Sequence, residues 1–317
     1  MISPAITAII CTHNRDRYLG EAIDSLLAQD CENFEVLVVD NASTDQTQQI
    51  VASRSHDQRL TYLYEPRLGL SLARNCGANH SQSEILAYLD DDAIATPHWL
   101  STLQKAYQEN ERLAIAGGKV ILRWPEDVKI PQWLSLEMMG ALGHYDLGTE
   151  PFQISQPGLT PRGLNYSLSR RFLEQVGGFN QSLGRMGTQL LSNEELYMTE
   201  LALHQGLTVA YLPDALVYHQ VAPERLEYQW FLRRAWWQGV SECQRESLTG
   251  SATVSPVQKG LENMIRGIYK ALKYWQDTDL RFENFLYAYG QIGYLNQCLK
   301  MTIAVFSLVR YKVKLIV

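Results

Sequence analysis

Over the first 125 residues, short apolar runs alternate with amphipathic stretches. Ala5–Cys11 and Phe34–Val39 are near-continuous apolar runs, the pattern of strands buried on both faces. Leu60–Tyr64 and Ile85–Leu89 predict a third and a fourth strand, and Leu113–Leu122 a further one. Between them, Tyr18–Gln29 places Leu19, Ala22, Ile23, Leu26 and Leu27 at helical spacing. Ser43 with Gln46 fits a capping box for a helix through Val51, and Ser71–His80 and Trp99–Tyr107 predict two more helices. Strand and helix in this alternation imply a parallel sheet covered on both faces.

The pattern then changes. Residues 124–161 carry five prolines and several aromatics but little periodicity, as in a long irregular segment that bears function. Order resumes with Gly163–Leu168, a helix over Arg171–Val176 stopped by Gly177-Gly178, and a helix from about Glu194 to His204. Val209–Leu212 and Ala215–His219 read as two short strands around Pro213-Asp214. From Glu227 the chain is helical, interrupted at Ser247–Pro256.

Composition narrows the function classes. The 317 residues hold 28 basic and 34 acidic side chains, a net charge of −6, which argues against a general nucleic-acid binder. Five cysteines without a CxxC pair read as reduced thiols of a cytosolic protein. The amino-terminal stretch has neither the basic region nor the cleavage site of a signal peptide, and no run reaches the roughly 18 apolar residues of a spanning helix.

In open parallel sheets, ligands bind beyond the carboxyl ends of the strands. Asp40 follows the second strand there, and Asp90, Asp91 and Asp92 follow the fourth. Three adjacent carboxylates repel unless neutralised, so they read as a site for a hard divalent cation or as a solvated acidic turn. Arg74-Asn75 lies in a helix flanked by glycines, and Arg suits phosphate or a base edge, though ordinary surface polarity fits as well. Glu194 and Glu195 open a helix, where carboxylates also simply compensate the dipole. His219 ends a short strand, as a structural residue or a nitrogen ligand. Dinucleotide, P-loop, GxSxG and HExxH fingerprints are absent.

Taken in order, "TAIICTHNR", "NFEVLVVDNASTDQT", "GLSLARNCGANHSQSEILAYLDDDA", "RGLNYSLSRRFLEQVGGF", "NEELYM" and "YLPDALVYH" resemble a family 2 glycosyltransferase of GT-A fold, over about residues 5–220. The resemblance implies an α/β, Rossmann-like, mostly parallel sheet with helices on both faces, followed by a helical C-terminal region. It divides the chain into a GT-A domain at 1–225 (a nucleotide half of about 1–123, an acceptor half of about 124–225) and a helical extension at 226–317. It also implies the site. Asp40 touches the nucleobase, Thr12 and Asn14 line the nucleotide pocket, and Arg74 lies near base or diphosphate. Asp90 and Asp91 belong to the DxD motif on the donor, Asp92 with Asp90 holds Mn²⁺ or Mg²⁺, and His219 matches a variable metal position. Glu195 aligns with the catalytic base. Three departures concern the second-strand motif, Asp40-Asn41-Ala42-Ser43 in place of Val-Asp-Asp-Gly-Ser, the base, Glu195 where the family has Asp, and Leu201 where an Arg is common.

The implied reaction is inverting sugar transfer from a nucleotide-diphosphate sugar to a hydroxyl of a glycan or lipid-linked acceptor, in polysaccharide or glycolipid synthesis. Trp124, Trp133 and Tyr145 fit an acceptor wall or a core equally well. Two other classes stay open: a nucleotidyltransferase that makes the sugar nucleotide, and a non-catalytic glycan-binding protein on the same fold. Lys300, Arg310, Lys312 and Lys314 surround the apolar run Met301–Val309. That tail reads as a peripheral contact with the inner face of a membrane, or as a helix packed on the body or in a homodimer interface.

Overall fold

The structure, a computed structural model, describes residues 4–250 and 255–314, the side chains of 304–314 excepted. It divides into two compact units. The first comprises the chain up to Val128, Leu142–Gly187 and Glu194–Pro223, and the second Lys129–Ala141, Thr188–Asn193 and the chain from Glu224.

The first unit is built on one nine-stranded sheet. Its strands are β1 (Ile6–Thr12), β2 (Phe34–Asp40), β3 (Leu60–Tyr64), β4 (Ile85–Asp90), β5 (Ala93–Ala95), β6 (Leu113–Arg123), β7 (Phe152–Gln153), β8 (Asn165–Ser169) and β9 (Thr208–Gln220). They lie in the order β3-β2-β1-β4-β8-β6-β9-β5, with β7 also paired to β9. Helices α1 (Asp16–Leu27), α2 (Thr47–Ala52), α3 (Leu70–His80), α4 (Trp99–Glu109), α6 (Arg170–Val176) and α7 (Glu194–His204) complete it. Strands β1 and β2 are mostly apolar and buried at nearly every position because helices cover both faces of the sheet. Helix α1 buries Leu19, Ala22, Ile23 and Leu26, one stripe at 3–4 residue spacing.

Three local expectations are revised. Strands β1 to β4 pair in parallel, but β8 enters antiparallel to both β4 and β6, so the sheet is mixed. The two short strands at 209–219 are one strand, β9, whose register with β6 shifts between Gly118 and Val120. A Cβ at Gly118 would collide with the carbonyls of Leu212 and Ala215, so the bulge around Pro213-Asp214 needs glycine opposite it. The capping box at Ser43 does not form. The Ser43 hydroxyl accepts the Asn14 N–H, and the Asp45 carboxylate takes the Thr47 N–H and hydroxyl instead.

Ala42, in the turn after β2, has φ +59°, a left-handed conformation that a Cβ disfavours by about 1 kcal/mol. Ala42→Gly is therefore expected to raise stability by up to about 1 kcal/mol, read as a higher urea midpoint. An unchanged or lower midpoint would show that the turn is not strained.

The second unit consists of α5 (Leu136–Met139), α8 (Tyr228–Thr249), α9 (Pro256–Lys273) and α10 (Thr278–Lys314). Small residues let these helices approach. Gly239 meets the Gly290 carbonyl, Gly293 that of Trp236, and Gly267 packs on Ala288. Trp133 stacks on Tyr228 at 4.3 Å and meets Phe231 and Phe282 edge-on, so it belongs to this core rather than to an acceptor wall. Helix α10 continues through Lys314. The tail expected at 301–317 lies outside the described residues for the side chains of 304–314 and for 315–317. Among the described residues no helix is long and apolar enough to cross a membrane.

Candidate active site

The loops after β1 and β2 clasp each other at the carboxyl edge of the sheet. Thr12 ends β1 opposite Asp40, and both are buried. Asn14, at φ +52°, accepts the Thr44 N–H at 2.7 Å on Oδ1 and donates its own N–H to Ser43. Asp40 accepts the Ser43 N–H at 2.8 Å on one oxygen and the Tyr62 hydroxyl at 2.7 Å on the other. Thr12, Asn14 and Asp40 are thus brought together, with the Asn14 and Asp40 oxygens also holding the two turns in place.

The acidic run leaves β4 and turns tightly into β5. Asp91 and Asp92 are buried, and the Arg15 guanidinium pairs with Asp92 while its Nε lies 3.6 Å from Asp91. Burial, reinforced by Asp92 and opposed by Arg15, pushes the Asp91 carboxyl up to about 7. Asp90 is raised by burial and by Asp92, against the opposing charges of Arg74, Arg185 and His219. His219, buried on β9 opposite Ala93, places Nε2 3.1 Å from Asp92 Oδ1. Its Nδ1 lies 2.6 Å from the Leu142 carbonyl and so must donate there. Nε2 is therefore the ring nitrogen directed at the Asp92 carboxylate. Carboxylate and imidazole converging in this way suit a divalent metal with mixed O/N ligands. Among the described residues, however, no three His, Cys, Asp or Glu side chains gather closely enough to form a ready metal cage. Asp92 and His219 meet, while Asp90 is joined to them by charge.

A second cluster forms around Arg74 on α3. Its Nη1 lies 2.8 Å from Glu195 Oε1 and 3.2 Å from Glu194 Oε1, and its plane lies over the rings of Phe179 and Tyr88. Burial opposes the guanidinium charge, but Glu195 and Glu194 outweigh it, so Arg74 stays a cation. The two glutamates differ in environment. The Glu194 side chain is 3% exposed and that of Glu195 14%. Burial, then the Glu195 charge, lift Glu194 to about 8 against the pull of Arg74. Gly163 fixes this arrangement, since a Cβ there would overlap Glu195 Oε1 and crowd Arg74.

Three contributors escaped the sequence reading. Arg15 adjoins Asn14 in the first loop, an adjacency that offered a signal. Arg185 is exposed and its charge reaches both Asp90 and Glu194, but it falls in an aperiodic loop. Gly163 was visible in its motif without a role. Tyr145, one of the aromatics of the irregular segment, is core: it packs on Tyr211 and donates its hydroxyl to the Leu159 carbonyl.

Residues 7–164 match Glycosyl transferase family 2. The chain is 27% identical over 241 residues to the glucosyl-dolichyl phosphate glucuronosyltransferase of Haloferax volcanii, covering 75% of this chain and 76% of that protein. It is 34% identical over 108 residues to the validoxylamine A glucosyltransferase of Streptomyces hygroscopicus subsp. limoneus, covering 33% of this chain and 24% of that one. The fold is similar to that of mannosyltransferase PcManGT from Pyrobaculum calidifontis in complex with GDP-Man and Mn²⁺ (TM-score 0.58, 20% identity, 97% of this chain and 76% of the other). It is also similar to S. aureus TarS 1–349 in complex with UDP (TM-score 0.51, 18% identity, 89% of this chain and 90% of the other).

Proposed function

The chain belongs to glycosyl transferase family 2, and from that premise we propose that it is a metal-dependent, inverting enzyme that moves a sugar from a nucleotide-diphosphate sugar to a hydroxyl of a glycan or lipid-linked acceptor. The observation that carries this reading is the meeting of Asp92 and His219 Nε2 at 3.1 Å just beyond the carboxyl end of β4, next to Asp90. We assign the donor half to residues of about 1–123 and the acceptor half to the remainder of the first unit, Leu142–Gly187 and Glu194–Pro223, while Lys129–Ala141 and Thr188–Asn193 belong with the helical extension.

Asp92 and His219, with Asp90 beside them, are the groups that would hold Mn²⁺ or Mg²⁺. When bound, such an ion supplies Lewis-acid stabilisation to the leaving diphosphate. The PcManGT complex with GDP-Man and Mn²⁺ and the TarS complex with UDP support this class of ligand. Thr12, Asn14, Asp40 and Asp91 line the donor edge. Glu195 takes the proton of the attacking hydroxyl, since it is the more exposed of the two glutamates. Arg74 orients it, and Arg185 adds positive charge where the diphosphate departs. The lipid-linked acceptor rests on the name of the Haloferax relative.

The test is calorimetric titration with UDP- and GDP-sugars, with Mn²⁺ and with chelator. The wild-type protein is expected to bind its donor only with metal, and Asp92→Ala to bind equally weakly under both conditions while still folding, with a melt lowered by the lost Arg15 and His219 contacts. Full donor binding in excess chelator would remove the metal from the proposal.

A further inference from the structure

Helices α8 and α10 of the second unit approach closely enough to bring two thiols into contact. A Cβ at Gly239 on α8 would overlap the Gly290 carbonyl of α10 and fall 2.8 Å from the Tyr294 nitrogen, so the two backbones touch there. Cys243 lies one turn beyond Gly239, and Cys298 one turn beyond Tyr294. Their Sγ atoms are 3.1 Å apart, although the residues are 55 positions apart in the chain. Both side chains are buried in a cluster with Tyr294 and Met301, and the Met301 thioether lies 4.0 Å from Cys243 Sγ.

A buried cysteine often serves only as a small apolar side chain, and packing alone would not require two of them face to face. Both are free thiols here, and their sulfurs need to close by only about 1 Å to reach the roughly 2.05 Å of a disulfide. Burial selects the reagent, since a peroxide is nearly as small as water and a bulky disulfide is not. Burial, then the contact with Cys298, raises the Cys243 thiol well above its ordinary range, and Glu246 and Glu242 add to the rise. Oxidation is therefore slow, and the product is shielded from external thiols in the same way. In the first step one sulfur attacks a peroxide oxygen. The O–O bond breaks, an S–O bond forms, and water leaves behind a sulfenic acid. The second sulfur then displaces that oxygen as a second water and forms the S–S bond. The two thiols give up two electrons and two protons, and the peroxide takes both.

We propose that Cys243 and Cys298 are an oxidation site, joined by peroxide into a disulfide that staples α8 to α10 within the second unit. The bond closes a loop that contains all of α9, so it restricts the unfolded chain and stabilises this unit. The site is independent of the proposed sugar transfer. Its two halves lie on different helices, so no CxxC-like spacing marks it in the sequence.

The test treats the full folded chain with hydrogen peroxide, blocks the remaining thiols with N-ethylmaleimide in urea, and maps the peptides by mass. The peptides of Cys243 and Cys298 should appear joined, two hydrogens lighter than their sum, and separate again after dithiothreitol. Oxidised protein should melt roughly 5 °C above the reduced form, and reduction should remove the gain. Cys243→Ala and Cys298→Ala should each lose both the link and the gain, while Cys11→Ala with Cys76→Ala keeps both. The wild-type peptide map decides the question even if a variant folds poorly. Cys243 and Cys298 both recovered as maleimide adducts from the treated chain would overturn the proposal. So would sulfinic acid at either position in place of the link, a link that joins two chains or uses Cys11, Cys31 or Cys76, or an oxidised form that melts no higher than the reduced one.

Discussion

Glu195→Gln should lower turnover by about two to four decades while donor affinity barely moves. The amide keeps the size and hydrogen-bonding of the side chain and removes only its ability to take a proton. The neighbouring carboxylate does not substitute. Glu194 is the deeper of the pair, and a carboxyl lifted to about 8 by burial and by the Glu195 charge is largely protonated near neutrality. Glu195 reaches solvent and keeps Arg74 at 2.8 Å, which holds its carboxylate in a single orientation. Single-turnover rates with saturating donor, together with donor affinity measured separately, decide the matter. A larger turnover loss in Glu194→Gln, at unchanged melting temperature, would move the base to Glu194.

The elements that could be read from the sequence were those whose evidence is local. A strand buried on both faces is a short apolar run, and β2 and β4 begin where expected, at Phe34 and Ile85; the half-buried edge strand β3 also matches its expected Leu60–Tyr64 span. The carboxyl-edge rule then placed Asp40 and Asp90–Asp92 at one rim without further information. What could not be read depends on partners distant in the chain. The antiparallel entry of β8 is set by its neighbours β4 and β6, not by its own pattern. Trp133 lies in a proline-rich stretch whose composition suggests an exposed loop, yet its partners Tyr228 and Phe282 lie 95 and 149 residues further on. The loss of the capping box is similar: Ser43 had the right spacing to Gln46, but Asn14 competes for its hydroxyl across the fold. At the site itself, the sequence offered carboxylates and one Arg. It did not reveal that Arg15 lies against Asp91 and Asp92, because ion pairing over more than seventy residues leaves no periodic trace.

Arg74→Leu is expected to destabilise the protein by about 3–5 kcal/mol, the cost of leaving a buried charged cluster without its counter-ion. Leu restores much of the apolar stem but nothing that faces Glu194 and Glu195. The effect should depend on pH, with a definite sign. Glu194 has a folded pKa of about 8 against an ordinary 4.5. Between these values the folded state keeps a proton that the unfolded chain has released, so stability declines as pH rises through that window. Arg74 limits this decline by favouring the charged form. Without it the folded pKa climbs further, and the loss of stability on raising pH continues above 8 instead of levelling off there. Urea midpoints at the two ends of the window should therefore differ more in Arg74→Leu than in the wild type, and adding Glu194→Gln should narrow the difference again. Equal midpoints for Arg74→Leu and wild type at both ends would mean that the guanidinium does not hold the pair together. The small separation of Gly163 from Glu195 would then be left as the main constraint on the base.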